Sequence, residues 1–221
     1  LLGTFVNAIA IIVGTLVGAS LGAKIQERYS RIVMRFLGLV TMFLGVQMLA
    51  GFSNIIVPIL SLLGGSALGY SLHIDRAINN FVSKLSKHGQ GGRGFIVASV
   101  LFCVGPMSII GSLEDGLHNN PSILLTKAGL DGVSSVALSA TFGISVMLSA
   151  LLVFLLQGSI TLASTYASSF LTHQLVSNLT TTGGALVLVI AANLLGFDKL
   201  KVENLLPSLL MVAILSLLNL P

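Results

Sequence analysis

Lys127 and Asp131 stand four residues apart in an otherwise apolar run, so on a helix they share a face and can pair. Ser134 and Ser135 extend that face by one turn. An ionisable group at membrane depth is expensive and is therefore read first as a functional site. Asp131 or Glu114 is the expected carrier of a proton or cation, with Lys127 as the counter-charge of Asp131. Gly129 and Gly132 flank the pair and predict a break in that helix. Upstream, Gly105 and Pro106 fall well inside another apolar run, where a proline deletes one intrahelical hydrogen bond and crowds the carbonyl of Phe102. Such breaks are tolerated at membrane depth only where the freed backbone groups meet protein or a watery cavity, so this run should border one. Backbone freed at Gly105-Pro106 and at 129–132 would bind substrate or ion through the partial charges of helix ends.

Glu114 and Asp115 lie between Gly111 and Gly116 and are followed by His118, Asn119 and Asn120. They are either a solvated acidic loop that ends a helix or the mouth of a path. Glu114 and His118 would put two metal ligands on one helical face. Without a second histidine nearby or a cysteine cluster, no metal is expected. Neither is an enzyme or a cofactor, because no Ser/His/Asp order, phosphate loop or zinc-protease motif is present. Cys103, the single cysteine, reads as a small buried hydrophobe.

The elements that must position these residues are apolar helices. Of 221 residues, 54% are apolar and 8% charged, with a mean hydropathy of +1.00, which is more than a soluble domain carries. Apolar runs at 2–23, 36–52, 55–72, 94–112, 122–141, 143–164, 180–196 and 205–220 each approach the ~20 residues of a spanning helix. The expected fold is all-α, a polytopic transmembrane bundle of about eight helices. The stretch 122–164 also admits one long helix preceded by a re-entrant segment, which would give seven spans. Residues 1–221 are expected to form a single integral membrane domain: a three-helix repeat 1–72, a cytoplasmic loop 73–93, two broken central helices over 94–141, and a second, inverted three-helix repeat 143–221.

The basic charge, at a pI near 9.5, would suit nucleic acid. Its distribution argues for membrane topology instead. Lys24, Arg28, Arg31 and Arg35 follow the first run, Arg76, Lys84, Lys87 and Arg93 the third, and Lys199 and Lys201 the seventh. By the positive-inside rule, loops 24–35, 73–93 and 198–203 are cytoplasmic and both termini face outward. Loops 51–54, 113–121 and 165–179 contain no Lys or Arg. The glycine-rich stretch 86–93 reads as a flexible orienting connector. No basic leader precedes the first run, so that helix is expected to be retained.

An internal echo links Gln47-Met48-Leu49-Ala50-Gly51-Phe52 with Ala192-Asn193-Leu194-Leu195-Gly196-Phe197. Each is followed by a similar helix start, with Pro58 or Pro207 in its first turn. In the expected topology the two hairpins are inverted, a device of secondary transporters. Gly14, Gly18 and Gly22, and likewise Ser61, Gly65 and Gly69, form small-residue stripes that let helices approach closely, within the protomer or at a homo-oligomer seam. Asn7, Gln47, Gln157 and Asn193 are amides inside apolar runs, read as interhelical hydrogen-bonding groups that could also line a pathway.

The strings Gly3-Thr4-Phe5-Val6-Asn7, Cys103-Val104-Gly105-Pro106-Met107-Ser108-Ile109-Ile110-Gly111-Ser112, Glu114-Asp115-Gly116-Leu117, Lys127-Ala128-Gly129-Leu130-Asp131-Gly132, Gln157-Gly158 and Asn204-Leu205-Leu206-Pro207 run through nearly the whole chain. Together they resemble the YqgA/YdfK family of bacterial multi-pass inner-membrane proteins, a domain of unknown function. The resemblance implies a bacterial cytoplasmic-membrane protein and no site residues. From the residues themselves, three functions are open. The first is a secondary transporter or exporter of a small solute or ion, whose substrate passes between the two broken helices. The second is a channel lined by Ser108, Ser112, Ser134 and Ser135 with an acidic mouth at Glu114 and Asp115. The third is a scaffold in which Lys127 and Asp131 are only a structural pair.

Overall fold

A computed structural model describes residues 1–22, 27–50, 55–85, 91–166, 172–197 and 200–218. Lys24, Lys87, Lys199, the turn 51–54 and the connector centre 86–90 lie outside the described residues, as do the side chains of Arg28, Arg31 and Lys84. Among the described residues the fold is all-α: α1 Leu2–Gly22, α2 Glu27–Ala50, α3 Ile56–Ser71, α4 Ile74–Leu85, α5 Gly91–Cys103, α6 Pro106–Leu117, α7 Ser122–Phe142, α8 Leu148–Leu162, α9 His173–Leu195 and α10 Pro207–Leu217. Two 3₁₀ turns, Gly143–Met147 and Val202–Leu205, precede α8 and α10. Leu2–Gly22, Ser122–Leu162 and His173–Leu195 are long and apolar enough to cross a membrane, and α5 with α6 makes a bent fourth candidate. The polarity is inside out: Val133, Leu162 and Leu210 are more than 70% exposed, whereas Asn7, Ser108 and Gln157 are fully buried. That distribution suits a hydrocarbon solvent.

The helices form two compact units interleaved along the chain, Leu1–Met34 with Leu85–Phe170 and Arg35–Lys84 with Leu171–Pro221. In the first, α1 runs parallel to α7. Gly3 faces Leu124, Gly14 faces Gly132 and Ser135, Gly18 faces Val136 and Ser139, and Gly22 faces Ala140, so the contacts advance in the same direction on both helices. A methyl group added at Gly14, Gly18 or Gly22 would strike a backbone carbonyl of α7. That stripe is therefore filled inside the protomer and is not open as a homo-oligomer seam.

The 41-residue helical run from Ser122 to Leu162 is about twice as long as a bilayer core is thick, at 1.5 Å per residue. It reverses at Gly143, whose φ of 70° is readily reached by glycine alone. Gly158 thereby returns to Thr4, and Gln157 to Asn7. The stretch is two antiparallel helices, and the re-entrant alternative falls away. Of the two expected broken helices only one is broken. α5 and α6 bend by 57° at Val104-Gly105, with Pro106 opening α6. α7 is continuous through Gly129 and Gly132. Glycine permits unwinding without compelling it, whereas proline removes a hydrogen bond outright.

In the second unit, α2 packs antiparallel to α9, with Gly38 on Leu195, Gly45 on Leu188 and Met48 on Gly184. α3 packs antiparallel to α10 through Gly64 on Met211, Gly65 on Ser208 and Gly69 on Asn204. The Gly65/Gly69 stripe is likewise filled within the chain. Three expectations need correction here. α2 starts at Glu27, so Arg28, Arg31 and Arg35 belong to a helix and not to a loop. The loop 73–93 contains α4 and the start of α5; residues 74, 77, 78, 81, 82 and 85 repeat the apolar spacing of an amphipathic helix too polar to register as a span. α9 begins seven residues before the expected 180, because Thr172 caps it by accepting from the Leu175 N–H at 3.2 Å. The hydroxyls of Thr180 and Thr181 fold back onto the carbonyls of Val176 and Ser177. A polar run that looks like a loop is thus partly satisfied inside a helix, with Asn178 Oδ1 and Thr182 Oγ1 left unmatched among the described residues.

Candidate functional site

Within the first unit, α1 and α8 bring one polar side chain each, and α7 two, to a common point. Lys127 Nζ donates to Asp131 Oδ2 at 2.5 Å, one turn along α7. Asn7 Nδ2, from α1, donates to the same carboxylate oxygen at 3.1 Å and lies 3.3 Å from Gln157 Oε1 on α8. Lys127 and Asp131 are 5% and 6% exposed, and both amides are fully buried. The ammonium sits 5.9 Å from the centre of the Phe102 ring on α5, within range of a cation–π contact. A lysine N-terminal to an acid is the less favourable order for a helical i,i+4 pair. Helix stability is thus a weak reason for this pair to exist.

The network is not closed. Asn7 Oδ1, Gln157 Nε2, Thr4 Oγ1 and Ser135 Oγ are buried without a hydrogen-bond partner among the described residues. Asn7 must present its N–H side to an ionised carboxylate, and Gln157 its oxygen to Asn7, so the amide orientations follow from the charge on Asp131. What remains is one unmatched acceptor and one unmatched amide donor at the ion pair, with the Thr4 and Ser135 hydroxyls about one helical turn along α1 and α7 from Asn7 and Asp131. Buried polar groups normally find partners, and among the described residues unmatched hydroxyls also occur elsewhere, at Thr15, Ser99, Thr141, Thr161 and Thr182.

The break in α5/α6 borders the pair through Phe102. Pro106 has no N–H for the Phe102 carbonyl, and Ser108 Oγ replaces it at 2.6 Å. Ser112 Oγ in turn donates to the Ser108 carbonyl at 2.6 Å. These two serines spend their O–H donors on the break itself and keep only acceptor capacity. Ser134 is half-buried and Ser135 fully buried. Gly105 caps α6, while Gly129 is exposed.

Glu114 and Asp115 do not join the pair. Both lie in the last turn of α6, one turn beyond the expected helix end. Glu114 Oε2 is 3.1 Å from His118 Nδ1, and Asp115 Oδ2 is 3.0 Å from the backbone nitrogen of Leu1 at the head of α1, a favourable place for an acid. Six residues of α1, about 9 Å at 1.5 Å each, separate that contact from Asn7. Because Glu114 turns to His118 and Asp115 to α1, the three do not converge on a metal, and no group of three metal-ligating side chains occurs among the described residues.

The second unit holds a different ion pair. Lys201 Nζ donates to Asp75 Oδ2 at 2.7 Å, and the Asp75 N–H donates to Asn204 Oδ1 at 2.9 Å, tying the start of α4 to the turn before α10. The hydrogen bond from Lys201 holds the Asp75 carboxyl below the usual carboxylate range, and the same bond holds Lys201 above the usual lysine range.

A family model described as "Protein of unknown function (DUF554)" matches residues 2–217. The chain belongs to the DUF554 family. Among relatives, it is 36% identical over 212 residues to "Uncharacterized membrane protein YdfK" of Bacillus subtilis (strain 168), an alignment covering 94% of this chain and 92% of that protein. It is 25% identical over 225 residues to "Uncharacterized protein YqgA" of Escherichia coli (strain K12), covering 97% and 96%. No solved structure matches. The resemblance read from the motif strings is therefore established for the DUF554 chain as a whole. Three of those strings contain Asn7, Lys127 with Asp131, and Gln157, which the fold assembles. The sequence reads Asn7 and Gln157 as interhelical hydrogen-bonding groups that could also line a pathway, and does not connect them to Asp131. The available signal was that each amide sits in one of those strings.

Proposed function

We propose that this protein is a secondary transporter of a small solute or ion, with the Lys127–Asp131 pair as its binding and coupling centre. One observation carries this: an ion pair buried in an apolar helical bundle is joined by amides from two further helices, and the cluster retains unmatched donors and acceptors. Ion pairs buried in this way are costly and are weak evidence for stability, so a functional role is the better explanation. The break beside Phe102 supports the reading, since discontinuous helices next to a central charged group are a recurring transporter device. The antiparallel pairing of α2 with α9 and α3 with α10 agrees with inverted hairpins. We place the protein in the bacterial cytoplasmic membrane, with the basic start of α2, the segment 73–93 and the loop 198–203 on the cytoplasmic side.

The test is flux in proteoliposomes loaded with a pH indicator, under imposed gradients of sodium, potassium, nitrate, sulfate or lactate. Wild-type protein should move at least one of them, and Asp131→Asn should abolish the movement while the protein remains folded. Undiminished flux in the variant would overturn the assignment, and so would the absence of wild-type flux for every gradient.

A further inference from the structure

The site's charge balance narrows the ligand, resting on the reading of Lys127–Asp131 as a binding centre. We infer that the ligand is a small anion, bound by the Lys127 ammonium when a proton taken up by Asp131 breaks the ion pair. The cation position beside Asp131 is already filled: Lys127 Nζ is 2.5 Å from Oδ2, where an inorganic cation would otherwise sit. A metal ion entering there must displace a tethered charge. An anion needs only to replace the carboxylate.

Protonation supplies that exchange. A proton from the aqueous side binds the Asp131 carboxylate, while Lys127 keeps its own, so the site changes from net zero to plus one. The anion then returns it to zero. Empty and doubly loaded sites are neutral, whereas proton alone or anion alone leaves an uncompensated charge in an apolar bundle, which is costly. Proton and anion should therefore cross together.

The unmatched polar atoms fit this ligand. Gln157 Nε2 and the hydroxyls of Thr4 and Ser135 are buried without partners among the described residues and can all donate. Asn7 can follow the proton: a neutral Asp131 donates an O–H, so Asn7 can turn its oxygen toward Asp131. Titratable neighbours are few. α1 and α8 contain none, α6 carries Glu114 and Asp115 only in its last turn, and α5 contributes Cys103 beside the pair and Arg93 ten residues away. Among the described residues, apart from Lys127 and this half-buried thiol, Asp131 has no titratable competitor nearby.

Proton uptake by the purified full chain in weakly buffered detergent tests this, with nitrate and lactate as probes, since both are monovalent and neither titrates near neutral pH. Wild-type protein should take up about one proton per anion bound, and affinity should fall up to about tenfold per pH unit, because linked binding is reciprocal. Asp131→Asn removes the carboxylate charge and should bind the anion without proton uptake and independently of pH. Lys127→Gln should lose binding while Asp131→Asn retains it. Binding of none of the probes, binding without proton uptake in wild type, or pH-dependent binding in Asp131→Asn would each overturn the proposal. Proton-linked binding without flux in proteoliposomes would defeat the transport assignment alone, and flux of sodium or potassium only would defeat the anion alone.

Discussion

Asn7 donates to Asp131 at 3.1 Å across 124 residues of sequence, joining α1 to the charged turn of α7. The same nitrogen lies 3.3 Å from the Gln157 side-chain oxygen. One amide therefore links three helices and orients the carboxylate. Replacing it with leucine keeps bulk but leaves Asp131 and Gln157 short of a donor, a loss of about 1–3 kcal/mol for buried polar groups. Asn7→Leu should lower the midpoint of thermal unfolding in detergent; an unchanged midpoint would show that the contact is not formed.

The α5/α6 break makes a paired prediction. Ser108 Oγ serves the Phe102 carbonyl that Pro106 cannot. Ser108→Ala should cost about 1–3 kcal/mol by leaving that carbonyl unmatched. Pro106→Ala restores an N–H at the break, so in the double variant the loss should be smaller than the sum of the two single effects. Strict additivity in a double-mutant cycle would contradict the substitution of hydroxyl for amide.

Close packing of α1 on α7 separates two glycines of similar appearance in the sequence. An alanine methyl at Gly14 would meet the Gly132 carbonyl, whereas at Gly129 it would meet open space. Gly14→Ala should destabilise by about 1–3 kcal/mol, as overpacking does. Gly129→Ala should be neutral or stabilising by up to about 1 kcal/mol through helix propensity. Equal effects on thermal midpoint would mean that the stripe is not an α1/α7 contact.

How much of this could be read from the residues alone depended on the range of the signal. Pro106 announces its break locally, because the missing N–H belongs to its own backbone, and the Lys127–Asp131 pair follows from four-residue spacing. Asn7 and Gln157 lie 124 and 150 residues from their partners, and nothing nearby distinguishes an amide at a site from one that glues helices. α4 was missed because its apolar residues lie on one face and average out with its polar ones. The break assigned to Gly129 and Gly132 failed for a different reason. Helical neighbours can hold glycine in place, and Gly132 instead gives α1 room to approach.

The Asp75–Lys201 pair sets a pH window for the anchoring of α4. Asp75 is held below its ordinary range in the folded state, so its contribution is present at neutral pH and declines below about pH 4, as pH falls through the depressed folded value. Lys201 is held above its ordinary range, so its contribution is complete below about pH 10 and is lost as pH rises through the elevated value. The pair should therefore contribute steadily between those limits. Asp75→Asn should remove the acid-side loss from the pH profile of thermal stability, and an unchanged profile would show that the pair contributes nothing measurable.

The most direct test of the Lys127–Asp131 site is a double replacement, Lys127→Met with Asp131→Leu, assayed for both stability and flux. Exchanging a buried ion pair for apolar side chains is often neutral or stabilising by about 1–4 kcal/mol, so the protein should remain folded. Its proteoliposomes should carry none of the solute-driven flux seen with wild type. Retained stability with lost flux is the predicted result; retained stability with wild-type flux would contradict the assignment of the pair as a transport centre.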